Sequence, residues 1–281
     1  MKKGASFFSF AQDIDLKEAM SKMAAAGYDG VELVLGSIGE ITMDTPDKDL
    51  ERIKTMAEDF GLEIPSVGTW LLWDYNIVSP DAEEREYCRV VLRKQLDIAA
   101  ALGADTILAV PGYCGSNFVS GKPLVSYDDA YERAKETFSI VAEHAEKVKV
   151  NIGLENVWNK FLLSPLEMRN LIDEIGSDYV GAYFDVGNIM YIGYPQHWIE
   201  ILGSRIKKIH FCDYRCSQAG LGAFVDLMAG DVPFKEVMKS LKKIGYDDYI
   251  TYEMLPNYAD YPYQSLISGI HSLNTILEEA E

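Results

Sequence analysis

Cysteine and histidine are scarce in this sequence. Its 281 residues include four cysteines and four histidines, and no pair of cysteines has the C-x-x-C spacing of many zinc and redox sites. We therefore expect a reducing compartment and a cytoplasmic location. A thiolate zinc site at Cys212 and Cys216 stays an alternative, although the carboxylates in the same region favour a harder ion.

Positive charge and long apolar runs are also lacking. Lys and Arg number 26 against 44 Asp and Glu, and the net charge of −18 repels polyanions, which argues against a nucleic-acid partner. No apolar run approaches the roughly 20 residues of a membrane-spanning helix, so we expect no membrane partner. The first fifteen residues have no small-residue cleavage site, so no signal peptide is predicted.

Short apolar segments alternate with amphipathic helical segments along the whole chain. Candidate strands lie at 4–10, 31–35, 63–70 and 105–112, with four more in the second half, and eight helices follow them. This pattern is typical of parallel strands covered by helices. A doubly wound open sheet would alternate in the same way, but the first strand is not followed by its usual glycine-rich phosphate turn. We therefore predict an α/β fold, a single (β/α)8 TIM barrel over residues 1–281.

The phrases AAAGYDG, AALGAD and KKIGYDD each place a glycine just before a predicted strand. A glycine in this position commonly ends a helix. The repetition of the phrase supports the barrel, in which one strand-and-helix unit recurs eight times.

Four apolar runs in the second half finish on residue types that bind hard metal ions. They are INIGLEN with Glu155, VGAYFDVGN with Asp185, IKKIHFCDY with His210, and YITYEML with Glu253. Their spacing is about one strand-plus-helix unit or a little more, so parallel strands would aim all four side chains at one end of the barrel. Three carboxylates and one imidazole make a site for one divalent ion, and they favour Mn²⁺ or Mg²⁺ over a structural Zn²⁺.

Polar and aromatic residues in the loops after these strands are candidates for substrate binding. They are Asn156, Trp158, Lys160, Asn188 and Arg215. We expect Lys160 and Arg215 to bind an anionic group through charge-assisted hydrogen bonds. Asn188 has an alternative role in an Asx turn or helix cap. Trp70, at the end of the third strand, is either an apolar wall of the site or a core residue.

The motifs GLEN, FDVGN, IKKIHFCD and ITYEM, in this order and spacing, resemble the xylose-isomerase-like TIM-barrel superfamily, in particular its sugar-phosphate isomerase and epimerase branch. The resemblance implies that Glu155, Asp185, His210 and Glu253 bind one divalent ion, with Mn²⁺ first and Mg²⁺, Co²⁺ and Zn²⁺ as alternatives. It also implies that Glu155 and Glu253 transfer protons. Ketose 3-epimerases of free sugars have His where this chain has Asn188. The L-ribulose-5-phosphate 3-epimerase type is more similar there, which favours a phosphorylated or otherwise anionic sugar.

We therefore predict a metal-dependent isomerase or epimerase of a ketose or ketose phosphate that acts through an enediolate, with a homodimer or homotetramer as the expected assembly. Epimerisation and aldose–ketose isomerisation share that intermediate, so both stay open. A metal-dependent dehydratase or hydrolase of a small polyhydroxylated substrate is one alternative, and a metal-binding barrel without catalysis is another. The apurinic endonucleases of the superfamily need three zinc ions and several histidines, and this chain offers one histidine at a strand end.

Overall fold

The computed structural model describes residues 1–116 and 119–280. Eight parallel strands form a closed barrel, in which the first strand pairs with the second and the last. The strands are β1 Lys2–Ser6, β2 Gly30–Leu35, β3 Ser66–Thr69, β4 Thr106–Ala109, β5 Asn151–Glu155, β6 Val180–Asp185, β7 Ile206–Phe211 and β8 Tyr249–Tyr252. The predicted (β/α)8 TIM barrel is confirmed.

One long helix follows each strand. They are α1 Leu16–Ala26, α2 Asp47–Asp59, α3 Ala82–Leu102, α4 Tyr127–Val148, α5 Pro165–Ile175, α6 Pro195–Leu202, α7 Phe234–Ile244 and α8 Gln264–Glu278. Each buries apolar residues, as a layer between strands and solvent must. In the part of the chain that the structure describes, no helix is long and apolar enough to span a bilayer.

Local signals in the sequence account for where several helices begin and end. The Asp15 carboxylate accepts the N–H of Glu18 at the start of α1, and Ser164 begins α5 with a capping box. The three repeated glycines that end helices, Gly27, Gly103 and Gly245, have φ of 96°, 82° and 74°. This left-handed conformation strains other residues, which is why glycine recurs there.

The first strand is shorter than the predicted 4–10. It ends at Ser6, because the Ser6 hydroxyl accepts the N–H of Phe8 and the chain turns into the 3₁₀ segment Phe7–Ser9. The Phe8 ring then packs across β3 at Gly68, where a Cβ atom would lie only 2.4 Å from the ring. Glycine at position 68 thus lets an aromatic ring cover this end of the barrel.

The loops contain further short elements that the sequence analysis does not predict. A short helix, Leu71–Asp74, follows β3, and an antiparallel ladder of Asp213–Tyr214 with Phe224–Val225 follows β7. Both lie beyond the carboxyl ends of barrel strands, where β/α barrels build their active sites.

Candidate metal centre and active site

The structure brings the four predicted metal residues together. Glu155 and Asp185 end β5 and β6, His210 is the next-to-last residue of β7, and Glu253 directly follows β8. One potential ligand atom from each lies within 4.8 Å of the others, and all four side chains are buried. Parallel neighbouring strands end on the same side of the barrel, so this convergence follows from the topology.

The donor set fits a divalent ion. Nδ1 of His210 lies 3.4 Å from Glu155 Oε1 and 3.4 Å from Glu253 Oε2. This nitrogen is buried and has no hydrogen-bond partner among the described residues. A buried polar atom without a partner is costly, and a metal ion would satisfy it.

The pKa values of the buried acids also favour a bound cation. Burial, with added repulsion from Glu253 and Asp185, raises the pKa of Glu155 to about 8, although His210 opposes the shift. Burial and repulsion from Glu253 likewise raise the pKa of Asp185 to about 7. The anionic forms of both carboxylates are thus destabilised. A divalent cation between them would supply the positive charge that stabilises these forms.

A buried carboxylate on the second strand, Glu32, orients His210. Its Oε1 lies 2.8 Å from Nε2 of His210 and accepts the Ser6 hydroxyl at 2.6 Å. Its Oε2 accepts hydrogen bonds from the Ser66 and Tyr183 hydroxyls at 2.7 and 2.5 Å. Because a carboxylate acceptor favours the tautomer with the proton on Nε2, Nδ1 of the neutral imidazole is unprotonated. Nδ1 then faces the carboxylate cluster with a free lone pair.

The surroundings of Glu32 favour its charged form. Burial raises its pKa, but the charge of His210 and the hydrogen bonds from His210, Ser6 and Tyr183 outweigh burial and lower the pKa below its usual value. Sequence reasoning missed this residue. The available signal was an acid inside the apolar run VELVL, which must be paired to be tolerated there.

We expect Glu32→Gln to weaken binding of Mn²⁺ by about 10–100-fold, the usual cost of losing the partner of a metal-binding histidine. The amide carries no charge to hold the proton on Nε2. Isothermal titration with Mn²⁺ would measure the change. The control is Glu63→Gln, which removes a carboxylate paired with Lys2 and Tyr249 at the opposite end of the barrel. Unchanged affinity in Glu32→Gln would show that Glu32 does not position His210.

Backbone and thiol groups hold Asp185. Its Oδ1 accepts the N–H of Asn188 at 2.6 Å, and the Cys212 thiol donates to Oδ1 at 3.0 Å. Burial and the charge of Asp185 keep the pKa of Cys212 well above its ordinary value, so this sulfur is a thiol donor. Cys216 is exposed and lies near the Met190 carbonyl. The thiolate zinc alternative therefore gains no support from the structure.

Asn156 was predicted to bind substrate, and the structure assigns its amide to another partner. Its Nδ2 donates to the Asp185 carbonyl at 2.8 Å, and its Oδ1 accepts the Asp185 N–H at 2.9 Å. Both ends of the amide are thus bound to the backbone of β6. Asn156 fixes the end of that strand, a role that sequence position alone does not reveal.

A cavity of about 740 Å³ opens above the cluster. Its wall includes Glu155 and Glu253, whereas Asp185 and His210 are fully buried beneath it. Trp158 and Asn188 contribute to the wall, and Trp70 takes the wall position that was one of its two predicted roles. The two glutamates are therefore the cluster members that a bound molecule can reach.

The predicted cations Lys160 and Arg215 do not contribute to the cavity wall that the structure describes. Nη2 of Arg215 donates to the Ala229 carbonyl at 2.7 Å, which ties the guanidinium to its own loop. Lys160 is exposed and has a left-handed φ of 56°. Their assignment to an anionic substrate stays a prediction, because a position shortly after a strand does not determine where a loop side chain points.

Residues 20–267 match the sequence model of a family described as xylose isomerase-like TIM barrel. The chain belongs to this family. The membership confirms the superfamily resemblance of the strand-end motifs.

Several known proteins are similar to this family member over nearly its whole length. An uncharacterized protein of Methanocaldococcus jannaschii is 27% identical over 265 residues, 90% of this chain and 83% of that protein. Fructoselysine 3-epimerase of Escherichia coli O157:H7 is 20% identical, with 96% of each chain covered. The structure of D-psicose 3-epimerase from Clostridium cellulolyticum H10 with D-tagatose superposes with a TM-score of 0.80 at 18% identity, and 100% of each chain is covered.

Proposed function

We propose that this protein is a divalent-metal-dependent epimerase of a ketose. The observation that carries the proposal is the arrangement of the two glutamates. Glu155 and Glu253 both reach the cavity, and each places a carboxylate oxygen 3.4 Å from the same nitrogen of His210. Two carboxylates that converge on one point from different strands can act on one substrate from two sides.

In this proposal Glu155, Asp185, His210 and Glu253 hold the ion, with Mn²⁺ as the first candidate. The bound ion supplies Lewis-acid stabilisation of the negative charge that develops on the substrate oxygens. One glutamate removes the proton from the carbon next to the carbonyl, and the substrate becomes an enediolate. The other glutamate delivers a proton to the opposite face of the same carbon, which inverts its configuration.

The names of similar proteins support epimerisation over the alternatives of isomerisation, dehydration and hydrolysis. Fructoselysine 3-epimerase and D-psicose 3-epimerase are both named for inversion at carbon 3. A third similar protein, from Actinoplanes, is named 2-epi-5-epi-valiolone 7-phosphate 2-epimerase, with 25% identity over 182 residues. Inversion next to a carbonyl is the reaction that two facing acid–base groups perform most directly.

The test is proton exchange from solvent. We expect the Mn²⁺-loaded protein, incubated with ketohexoses in deuterated water, to place deuterium at C3 and to form the C3 epimer, as read by NMR. Deuterium at C1 with an aldose product would indicate isomerisation instead. Stoichiometric metal with no deuterium at either carbon across the panel would contradict enzymatic proton transfer and favour a binding barrel. Protein treated with a chelator is the control.

A further inference from the structure

None of the described residues that line the cavity is positively charged. Among its described residues the charged ones are all acids, namely Asp74, Glu155 and Glu253. Three carboxylates around one divalent ion also leave the centre negative. A phosphate entering here would lose water and gain no cationic partner, which is unfavourable.

The cavity extends well beyond the metal cluster. A volume of about 740 Å³ falls in the range of about 300–1,000 Å³ that drug-sized ligands occupy. Much of the remaining wall is apolar or aromatic, and includes Trp70, Trp73, Leu221, Phe224 and Leu255. These residues come from the loops after β3, β7 and β8, so the apolar surface extends around the mouth, beyond the carboxylates.

The aromatic walls are held in place by other rings. Trp70 packs edge-on against Phe8, with ring centroids 4.6 Å apart, and Trp158 packs on Phe224 at 5.5 Å. Trp73 stacks on Tyr113 at 6.2 Å. Such pairs are stabilising, so the apolar surface is formed before a ligand arrives.

Asp74 adds a specific feature to this surface. It is an exposed carboxylate on the cavity wall and follows Trp73 directly in the sequence. An exposed carboxylate on the wall of a cavity can form a charge-assisted hydrogen bond with a protonated amine.

We infer, on the basis of the proposed epimerase function, that the substrate is a ketose joined to an apolar group without negative charge, and that the site discriminates against sugar phosphates. The ketose end lies at Glu155 and Glu253, and the attached group lies against the tryptophan walls. When the linkage is an amine, its positive charge faces Asp74.

Binding can be measured without turnover, because three of the four tryptophans, Trp70, Trp73 and Trp158, form part of the cavity wall. The probes are D-fructose, its 1- and 6-phosphates, and derivatives with a benzylamino or benzyloxy group at the same carbons. We expect quenching of tryptophan fluorescence to show that a benzyl derivative binds at least about tenfold tighter than fructose, and that the phosphates bind no tighter than fructose. Phosphates that bind as tightly as the benzyl derivatives would overturn the inference, as would benzyl derivatives that bind no tighter than fructose.

A matched pair of variants tests whether the group joined to the ketose carries a positively charged amine. Asp74→Asn and Asp59→Asn each remove one exposed carboxylate, and Asp59 ends α2 away from the cavity wall. Tighter binding of the amine than of the ether, lost only in Asp74→Asn, would support a cationic substrate. Equal binding of both would support a neutral one.

Deuterium exchange in the same samples separates this inference from the proposed function. Tight binding of a benzyl derivative without exchange would contradict the epimerase proposal and leave the ligand class supported. If deuterium exchange occurs and a sugar phosphate is the probe that binds most tightly, the epimerase proposal is supported and the proposed ligand class is overturned.

Discussion

Glu253→Gln should lower kcat for ketose epimerisation by at least about 10²–10⁴-fold, the usual contribution of a general acid–base group. Glutamine keeps the size and one oxygen of the side chain but can neither take nor return a proton. Glu253 and Glu155 are the two cluster carboxylates on the cavity wall, so neither Asp185 nor the buried His210 can substitute for them. We expect Glu155→Gln to show a loss of the same order.

The measurement is deuterium exchange at C3 of a ketose, compared between wild type and the two glutamine variants. Metal content must be determined in each sample, because both glutamates are also proposed ligands and loss of the ion would lower the rate further. Glu63→Gln serves as the control, since it changes a carboxylate at the other end of the barrel. If metal-loaded Glu155→Gln and Glu253→Gln exchange at the wild-type rate, the glutamates are ligands only and the mechanism is wrong.

Mn²⁺ should raise the thermal unfolding midpoint, and should do so more at pH 8 than at pH 5. A ligand present at a thousand times its Kd adds about 4 kcal/mol, and at about 2.1 cal/mol/K of unfolding entropy per residue each kcal/mol raises the midpoint of this 281-residue chain by about 1.7 °C. We therefore expect a shift of about 7 °C at pH 8. At pH 5 protons compete with the ion for the cluster, and the shift should be smaller.

The stability of the metal-free protein should instead fall as the pH rises. The pKa values of Glu155 and Asp185 are about 8 and about 7 in the folded protein, against ordinary values of 4.5 and 3.8. The folded state therefore binds more protons than the unfolded state in this range. Their contribution to stability is fully present below about pH 4 and is lost as pH rises through about 7 to 8. Thermal melts with chelator, from pH 4.5 to 8.5, would measure this decline.

Variants of the four cluster residues test whether the effect of Mn²⁺ and the pH dependence of stability both arise from this site. Glu155→Gln and His210→Ala should each bind Mn²⁺ more weakly and lose most of its stabilising effect, and Glu155→Gln should also reduce the pH dependence of the metal-free protein. Metal occupancy that is undiminished in both variants would contradict the assignment of the site.

The alternation of segments, the helix ends and the strand-end residues could be predicted from the sequence because each depends on local chemistry. Gly27, Gly103 and Gly245 end helices because they adopt a left-handed conformation, whatever the rest of the fold does. Glu155 and Asp185 end apolar runs, and once the strands are parallel their side chains must meet.

Tertiary structure alone decided which side chains face the cavity. Arg215 and Asn156 lie near cluster residues in the sequence, but the loop after β7 turns the guanidinium to Ala229, and the backbone of Asp185 takes both ends of the amide. Glu32 is distant from His210 in the sequence and meets it only because the barrel closes. Local sequence determines where a strand or helix ends. The contents and charge of the cavity depend on hydrogen bonds and packing between segments far apart in the chain, and these form only when the barrel is complete.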